Sequence, residues 1–407
     1  MKRLRSLDKR LLTILLIVFV QMFGASLVLP ILPRVAQNDF GLRPELVALL
    51  VSSFFVAQFV AGPWIGRLSD TYGRIPVLLI SQVGTVISFL MLGVAQSAWI
   101  LFASRILDGI TGGNIIAAQA YITDVTPRER RTEALGYVMA AFGLGFIFGP
   151  ALGGFVSAAF APATAFYMAA AAAAIVVALT YFTLDETLTP EQRRENVRVS
   201  KNGMSLRQVT QNGTLMLVLG IAFIGQFALG IVQATFALYG EAVLFAGATN
   251  SVTSLGIGLL LSVVGITQFT VQSFGLRPLL RRFGEVKLII LGSVSRAVGL
   301  FIFALVLSPW LAGFGSFFFA LGMAIMMPPL QSLATTTVPD QMRGSVLGVY
   351  QSAISLSTIV STAIGGVIFD IGPTMPYWVA GVLALVVIFP VFTLPSRNKT
   401  IPIPTKH

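Results

Sequence analysis

The chain carries twelve apolar runs, each of about 18 residues or more, spaced along its whole length. A run of that length crosses the roughly 30 Å hydrocarbon core of a bilayer as a helix. The runs are continuously apolar, whereas the strands of a membrane barrel alternate apolar and polar residues. We therefore predict an all-α membrane protein with twelve transmembrane helices. Its spans, numbered 1 to 12 in chain order, are expected at 11–33, 44–66, 76–95, 98–123, 133–158, 162–184, 214–240, 252–275, 285–307, 310–337, 343–370 and 374–395.

The composition supports this class, because 56% of the residues are hydrophobic and only 11% are charged. Soluble domains average about 25% charged residues. The first apolar run is too long for a cleavable signal and lacks a small-residue cleavage site. There is no cysteine, the single histidine is the last residue, His407, and no Walker loop or metal-ligand cluster is found. We therefore expect no enzyme activity, no cofactor and no metal site.

The net charge of +11 is distributed unevenly along the chain. All but four of the 27 Lys and Arg lie in the two terminal tails or in the loops that follow even-numbered spans; the exceptions are Arg34, Arg43, Arg105 and Arg296. Cytoplasmic loops of membrane proteins carry such an excess of basic residues. We predict a multi-pass protein of the cell (inner or plasma) membrane with both termini in the cytoplasm. Its basic face would contact anionic lipid headgroups rather than nucleic acid.

The two halves of the chain repeat one another at a constant separation of 212 positions. The matching pairs are Pro127 and Pro339, Arg131 and Arg343, Gly136 and Gly348, Gly153 and Gly365, Gly154 and Gly366, and Gln119 and Gln331. Duplicated six-span halves with a site between them are the plan of a secondary transporter, and a receptor would not need them. We expect two pseudo-symmetric six-helix bundles at 1–184 and 214–395, a solvated cytoplasmic linker at 185–213 and a tail at 396–407, in a monomer.

Span 4 carries two charges near the middle of the membrane, Arg105 and Asp108. They are three residues apart and share a helix face. At about 100° per residue, Gln119 falls on the same stripe, whereas Asn114 points away. A charge inside the bilayer costs at least ~2.5 kcal/mol, so it persists where it is paired, hydrated or useful. Two interpretations stay open: an ion pair that holds helices together, or a proton or substrate site that faces the central cavity.

Amide side chains recur at helical spacing in several spans. In hydrocarbon they either bond between helices or line a wet cavity. Arg296, midway along span 9, has no carboxylate near it in sequence. It binds an anionic group, pairs with Asp108 or reaches the headgroups, and the sequence does not decide among these. The candidate cavity residues are Gln21, Gln119, Gln226, Gln233, Gln268, Gln331, Gln351 and Arg296.

Span 5 contains a glycine-rich run, GFIFGPALGG, at 145–154. Glycines four apart allow another helix to approach closely, and a proline removes a backbone hydrogen bond and bends a helix. Ordinary membrane packing would account for the run by itself. In combination with the repeat, we predict that it forms the contact along which the two halves move. The residues are Gly145, Gly149, Pro150, Gly153 and Gly154.

Three motifs resemble the signatures of one family, the drug/proton antiporters of the major facilitator superfamily. GRLSDTYGR after span 2 resembles its motif A, LFASRILDG in span 4 its motif B, and GFIFGPALGG in span 5 its motif C. The stretch GGNIIAAQAYITDVTP is similar to the tetracycline-exporter-like branch in particular. The resemblance covers essentially the whole chain, and it implies small-molecule export coupled to protons.

The resemblance also implies a role for each motif. In motif A, Arg74 would pair with Asp124, and Asp70 would lie near the start of span 11, where a carboxylate stabilises a helix amino terminus. This cluster would close the cytoplasmic side. Arg105 would be the motif B arginine that takes part in proton coupling, and motif C would supply the bend at Pro150. The expected cytoplasmic gate consists of Gly66, Asp70, Gly73, Arg74 and Asp124.

The chain departs from tetracycline exporters in three places. They resemble one another in carrying a carboxylate in the first helix, which this chain lacks; Asp108 stands where a small or amide residue is expected; and the second motif A-like turn, GLRPLLRRFG, has no acid. We therefore predict proton-driven efflux of small amphipathic compounds, with Asp108 exchanging protons beside Arg105. The alternative is proton symport, or uniport, of an anionic metabolite or lipid held by Arg105 and Arg296.

Overall fold

A computed structural model describes residues 9–112, 114–193, 206–248, 250–306 and 308–394. Every regular element in these ranges is helical. The predicted tail at 396–407 and the middle of the predicted linker lie outside the described residues. Within the linker, residues 190–193 are helical.

The amino-terminal half contains spans 1 to 6. Span 4 consists of two helices, because the first ends at Thr111 and the second begins at Asn114. A 3₁₀ turn, Arg128–Arg130, precedes span 5. The bounds are Lys9–Asn38, Pro44–Tyr72, Arg74–Gly93, Ala98–Thr111 with Asn114–Val125, Arg131–Ala159 and Pro162–Thr183.

The carboxy-terminal half begins with a short helix, Leu206–Gln211, and contains spans 7 to 12. Spans 7 and 8 end in π-helical turns, Gly240–Leu244 and Val271–Gly275. The helix Leu276–Leu305 is interrupted at Gly284, whose φ is 75°, and span 9 is the part that begins at Glu285. A 3₁₀ turn, Asp340–Met342, precedes span 11. The bounds are Gly213–Tyr239, Asn250–Thr270, Leu276–Leu305, Pro309–Thr336, Arg343–Ile371 and Met375–Val386 with Ile388–Val391.

The helices account for all twelve predicted spans. Within the described ranges, ten helical stretches are long and apolar enough to cross a membrane. One of them, Gly256–Leu305, contains both span 8 and span 9, and span 12 is the shorter apolar stretch Met375–Val391. The predicted all-α fold is confirmed.

The same packing pattern occurs in both halves. Span 1 packs against span 5, span 2 against span 4 and span 3 against span 6. In the second half, span 7 packs against span 11, span 8 against span 10 and span 9 against span 12. Between the halves, span 2 packs along span 11, and span 5 packs against spans 8 and 10. The pairs follow the order expected from a duplication of six spans.

One end of the bundle carries most of the basic residues, and we call it the basic end. There spans 2, 4, 8 and 10 finish and the next spans begin, at sequence positions that hold Arg and Lys. The other end, where spans 3 and 4 and spans 5 and 6 are joined by very short loops, is the opposite end.

The glycines of span 5 bring spans 1 and 5 together within one half. A Cβ on Gly145 would meet the backbone of span 1 at Phe19 and Phe23, and one on Gly149 would meet Ser26. The Ser26 hydroxyl donates a hydrogen bond of 2.9 Å to the carbonyl of Gly145. Gly153 likewise faces Leu27 of span 1. The expected contact between the two halves is therefore wrong for these three glycines. Pro150 and Gly154 belong to the same helix, and their own contacts lie outside what the structure describes.

Replacing Gly149 by leucine is expected to separate spans 1 and 5. The new side chain would meet Ser26 and the carbonyl oxygen of Phe23, and overpacking of this kind costs about 1–3 kcal/mol. The midpoint of thermal unfolding of the purified protein should fall by several degrees. Gly143→Leu is the matched control in the same helix, since a Cβ at Gly143 has no atom within 4 Å. Equal losses in the two variants would contradict this packing.

Candidate functional site

A central cavity lies between the two halves. Its volume is about 240 Å³, close to the lower limit for pockets that hold small organic ligands. Spans 1, 2, 4 and 5 supply one wall, and spans 7, 8, 10 and 11 supply the other. The apolar part of the lining includes Met22, Met139, Met323, Met327, Phe54, Phe55, Phe142 and Tyr350. Methionine and aromatic side chains of this kind adapt to ligands of different shape.

Six of the seven predicted glutamines line this cavity: Gln119, Gln226, Gln233, Gln268, Gln331 and Gln351. Gln58 of span 2 also lines it, although sequence reasoning did not single it out. Its side-chain oxygen accepts hydrogen bonds from Ser355, at 2.8 Å, and from Gln351, at 3.3 Å. Gln58 therefore joins the two halves at the floor of the cavity.

Gln21 and Arg296 are absent from the cavity lining, which corrects two predictions. The Gln21 side-chain oxygen accepts a 2.5 Å hydrogen bond from Asn114 of span 4, so this amide joins helices instead of facing ligand. Asn114, which the helical stripe placed away from Arg105 and Gln119, is also absent from the cavity lining. Arg296 lies in a separate pocket within the second half.

Arg105 and Asp108 form an ion pair at 3.3 Å, but they do not face the same way. Arg105 lines the cavity and donates a 3.3 Å hydrogen bond to Ser88 of span 3. Asp108 is fully buried behind it, beside Thr85 of span 3. Of the two charges, only Arg105 is among the described residues that line the cavity. Positions three apart on a helix differ by about 60° in direction, which is enough to turn Asp108 toward span 3.

At the basic end, Asp70 of span 2 binds the amino terminus of span 11. Its carboxylate accepts hydrogen bonds from the backbone N–H groups of Gly344, at 2.8 Å, and Ser345, at 2.6 Å, and a third from the Ser345 hydroxyl. A helix amino terminus carries a partial positive charge and free N–H groups, so a carboxylate is stabilised there. Asp70 is therefore the contact through which span 2 holds the opposite half.

Four charges, three of them buried and Asp124 partly buried, alternate in sign from one half to the other. Asp70 pairs with Arg74 at 2.6 Å, and Arg74 pairs with Asp124 at 2.8 Å. Asp124 then pairs with Arg343 of the second half at 3.0 Å. We call Asp70, Arg74, Asp124 and Arg343 the charge chain. Arg343 was noticed in the sequence as a repeated residue, but its contact with Asp124 spans too many residues to be inferred from a pattern.

Spans 2 and 11 touch through glycines between the charge chain and the cavity. A Cβ on Gly66 would meet the backbone carbonyl of Gly344, and one on Gly348 would meet the backbone of Gly62. Each helix therefore presents two glycines four residues apart, which is the spacing that allows backbones to approach closely. Gly73, next along the chain, has a φ of 109° that favours glycine. It separates span 2 from span 3 so that Asp70 and Arg74 can meet.

Glu186 also supports the charge chain from within the first half, although the sequence predicted a solvated linker at this position. Its carboxylate accepts hydrogen bonds from the backbone N–H groups of Arg74, at 3.0 Å, and Ile75, at 3.1 Å. The hydroxyl of the next residue, Thr187, donates a 3.3 Å hydrogen bond to Asp124. The start of the linker therefore caps span 3 and supports the charge chain.

A second contact between the halves lies at the equivalent place in the repeat. Thr132, at the start of span 5, donates a short hydrogen bond to Glu285, which begins span 9 and also accepts a 3.1 Å bond from Ser332. Beside it, Arg277 pairs with Glu133 of span 5 at 3.4 Å. Span 3 begins with Arg74 after Gly73, whereas span 9 begins with Glu285 after Gly284. The two contacts are related by the repeat, but their charges are reversed.

These contacts close the basic end of the bundle, and the cavity extends from there toward the opposite end. From Gln58 to Asp70, span 2 is joined to span 11 by hydrogen bonds and glycine contacts. The cavity lining continues past Gln58 to Val51 and Leu32, which lie nearer the opposite end. The geometry is that of a transporter whose central site faces away from the basic end.

The comparisons with known proteins agree with this geometry. A sequence profile described as Major Facilitator Superfamily matches residues 14–250 and 215–407. The chain belongs to the major facilitator superfamily. It is 31% identical to the class C tetracycline resistance protein of Escherichia coli over 88% of this chain and 89% of that protein. It is 27% identical to multidrug resistance protein 2 of Bacillus subtilis (strain 168) over 91% of both chains.

Solved structures support the fold. The human organic anion transporter MFSD10 (TETRAN) superimposes with a TM-score of 0.79 at 21% identity, over 94% of this chain and 99% of that one. The proton:xylose symporter XylE superimposes with a TM-score of 0.75 at 16% identity, over 95% of both chains. The chain is therefore a multi-pass membrane transporter of this superfamily and not an enzyme, and its sequence relatives include tetracycline and multidrug resistance proteins.

Asp70→Asn is expected to open the basic end. Removing one partner of a buried ion pair costs about 3–5 kcal/mol, and Asp70 also holds span 11. The chain has no cysteine of its own, so spin labels can be attached at Glu191→Cys and Arg281→Cys, both exposed. Pulsed electron paramagnetic resonance should then show a second population with a longer distance between the labels.

The control for this variant is Arg128→Gln. It removes an exposed ion pair of 3.1 Å between Arg128 and Asp340, across the same interface, and an exposed pair contributes about 0–1 kcal/mol. Its label distances should match those of the unsubstituted protein. If Asp70→Asn also leaves the distances unchanged, the charge chain does not hold the basic end closed.

Proposed function

We propose that the protein exports small amphipathic compounds from the cytoplasm in exchange for protons that enter the cell. The observation that supports this most directly is the central cavity between two repeated halves, lined by amides, methionines and aromatic rings and closed at one end by buried polar contacts. Such a site fits alternating access, in which the halves move about a fixed site. The names of the resistance-protein relatives agree with export.

In this proposal the basic end faces the cytoplasm, as the distribution of Lys and Arg indicates. The geometry then corresponds to a state that is open outward. Access from the cytoplasm requires the charge chain and the contact of Glu285 with Thr132 to separate. Both contacts consist of polar groups that water can solvate once the halves separate. Hydrogen bonds to water then partly replace the hydrogen bonds that are broken.

Asp108 is the proposed proton carrier. It is fully buried and has one cationic partner among the described residues, Arg105, which lines the cavity. When Asp108 binds a proton, it becomes neutral and Arg105 loses its counter-charge. The state of Asp108 therefore changes the charge that a ligand meets in the cavity. Each proton that moves down a potential of 100 mV supplies ~2.3 kcal/mol for this exchange.

The alternative, symport or uniport of an anion held by two arginines, has less support. Arg105 lines the cavity, but Arg296 lies in a pocket that shares no lining residue with it. A clamp formed by both guanidinium groups is therefore not available in this geometry. A single arginine remains for an anionic ligand.

The direction of coupling can be measured with purified protein in liposomes. We expect tetracycline or chloramphenicol to accumulate inside when the lumen is acidic, because protons that leave drive the compound inward. Accumulation when the lumen is alkaline would instead establish symport, and indifference to the gradient would establish uniport. A growth-inhibition panel in cells with and without the protein supplies further probes, and protection against none of them would contradict export.

Asp108→Asn is expected to remove the coupling and keep the binding site. Accumulation driven by the gradient should fall to the level of protein-free liposomes, whereas exchange of labelled for unlabelled compound should persist. Asp39→Asn, a change of the same kind at an exposed carboxylate, should keep both activities. Full gradient-driven accumulation by Asp108→Asn would remove this residue from the mechanism.

The lining of the cavity also predicts selection by charge. Among the described lining residues, Arg105 is the one charged group, and like charges repel most strongly where water is excluded. Calorimetry in a non-ionic detergent should show weaker binding of tetraphenylphosphonium than of the neutral triphenylphosphine oxide. Gln233→Glu should raise the affinity for the cation about tenfold, since Gln233 lines the cavity. Gln211→Glu, exposed at the basic end, is the control, and equal effects of the two variants would contradict this selection.

A further inference from the structure

A second, smaller pocket lies inside the carboxy-terminal half, between spans 7, 9, 10 and 12. Arg296 and Ser293 of span 9 supply its polar groups. The remaining lining is apolar and comprises Ile224, Gly225, Ala228, Met326, Ala384 and Val387. Arg296 is 1% exposed, so its guanidinium group is removed from both the central cavity and bulk solvent.

The guanidinium group of Arg296 has only part of its hydrogen-bonding capacity filled. One N–H group, on Nη2, donates to the carbonyl oxygen of Gly225, and the ring of Phe319 lies 5.2 Å from the guanidinium carbon. Nε and Nη1 have no hydrogen-bond partner among the described residues. Gly225 allows the close approach of this group, because a Cβ there would lie 3.3 Å from Nη1.

No carboxylate of the described part forms an ion pair with Arg296. Asp108, which the sequence left open as its partner, pairs with Arg105 instead. A carbonyl oxygen and an aromatic ring offer partial negative charge, but neither neutralises a full positive charge. A buried and uncompensated charge costs several kcal/mol, and unpaired charges inside membranes mark functional positions. Arg296 therefore lacks both a counter-charge and two hydrogen-bond acceptors.

The size of the pocket limits what can supply them. Its free volume is about 10 Å³, which corresponds to about one water-sized sphere. A carboxylate, phosphate or drug-sized molecule exceeds this space. A single water would accept the hydrogen bonds but leave the charge uncompensated. A monoatomic anion supplies both the acceptor and the charge, and the flexible side chain of Met326 can yield to one that is slightly larger than water.

We infer that the pocket at Arg296 is a binding site for a small inorganic anion of the chloride type, separate from the transport site. The anion would lie between the free N–H groups of Arg296 and the lining supplied by spans 7 and 12. It would thereby hold span 12 against spans 7 and 9 in the second half. This site does not depend on the proposed direction of transport or on the class of compound carried.

The purified full-length protein provides the test. Its thermal unfolding midpoint is measured in sodium chloride and in sodium gluconate at equal ionic strength, because gluconate is too large for the pocket. A ligand that binds only the folded state raises stability as its concentration exceeds the dissociation constant. We expect a saturable rise of several degrees with chloride and with bromide, and no such rise with gluconate.

Three variants assign this effect to the pocket. Arg296→Gln should abolish the dependence on chloride, and Ala384→Leu should abolish it while retaining the arginine, because the new side chain fills the pocket. Ala384→Leu keeps the test decisive if Arg296→Gln does not fold. Arg282→Gln, at an exposed arginine of the basic end, should retain the dependence. Bromide should also give an anomalous scattering peak beside Nη1 of Arg296 in crystals.

Two results would overturn the inference. One is an unfolding midpoint that responds to ionic strength alone, with chloride and gluconate equivalent. The other is a chloride effect that persists in both Arg296→Gln and Ala384→Leu, since the anion would then be bound elsewhere.

Discussion

The closed basic end depends on one constraint, the burial of alternating charges between the two halves. Along the charge chain, each charged side chain lies 2.6 to 3.0 Å from the next one. Burying ions is costly, and a buried pair regains that cost only when its geometry is good and its remaining lone pairs are satisfied. Asp70 meets this condition through the N–H groups of span 11. Removing one member would leave the others uncompensated, so the cluster forms and separates as a unit, which suits a contact that a transport cycle must break.

Because the fold is duplicated, the contact between the halves occurs twice, but the residues that form it carry opposite charges. Span 3 begins with an arginine after a glycine of positive φ, and span 9 begins with Glu285 after Gly284, also of positive φ. The first contact is held by several charge-assisted hydrogen bonds, which are shorter and stronger than neutral ones. Across the halves, the second is held by the Thr132 hydroxyl on Glu285 and by the more exposed ion pair of Arg277 with Glu133. The geometry therefore makes the contact of span 2 with span 11 the stronger of the two.

The sequence predicted the twelve spans and the repeat well, because long continuous apolar runs and a constant offset are strong patterns. The motif resemblance also indicated that Arg74 would meet Asp124, and six of the glutamines predicted for the cavity line it. Other features depend on where helices bend and on contacts distant in sequence. Asn114 bonds to Gln21 of another span, the contact of Arg343 with Asp124 joins different halves, and Glu186 caps a helix over 100 residues before it. No local pattern carries that information.

In the proposed mechanism, the position of Asp108 behind Arg105 determines the sign of coupling between the proton and each class of ligand. Linkage requires that a proton and a ligand change each other's affinity by the same factor. Protonation of Asp108 leaves the positive charge of Arg105 uncompensated at the cavity wall, so it weakens the binding of a cation and strengthens that of an anion. Protonation of Asp108 also strengthens the binding of a neutral ligand whose electron-rich group accepts hydrogen bonds from Arg105, but by less than for an anion. Antiport requires the protonated state to release its ligand, whereas symport requires that state to retain it. One buried pair can therefore support export of cationic compounds and proton-linked uptake of anions, and the charge of the transported compound decides between them.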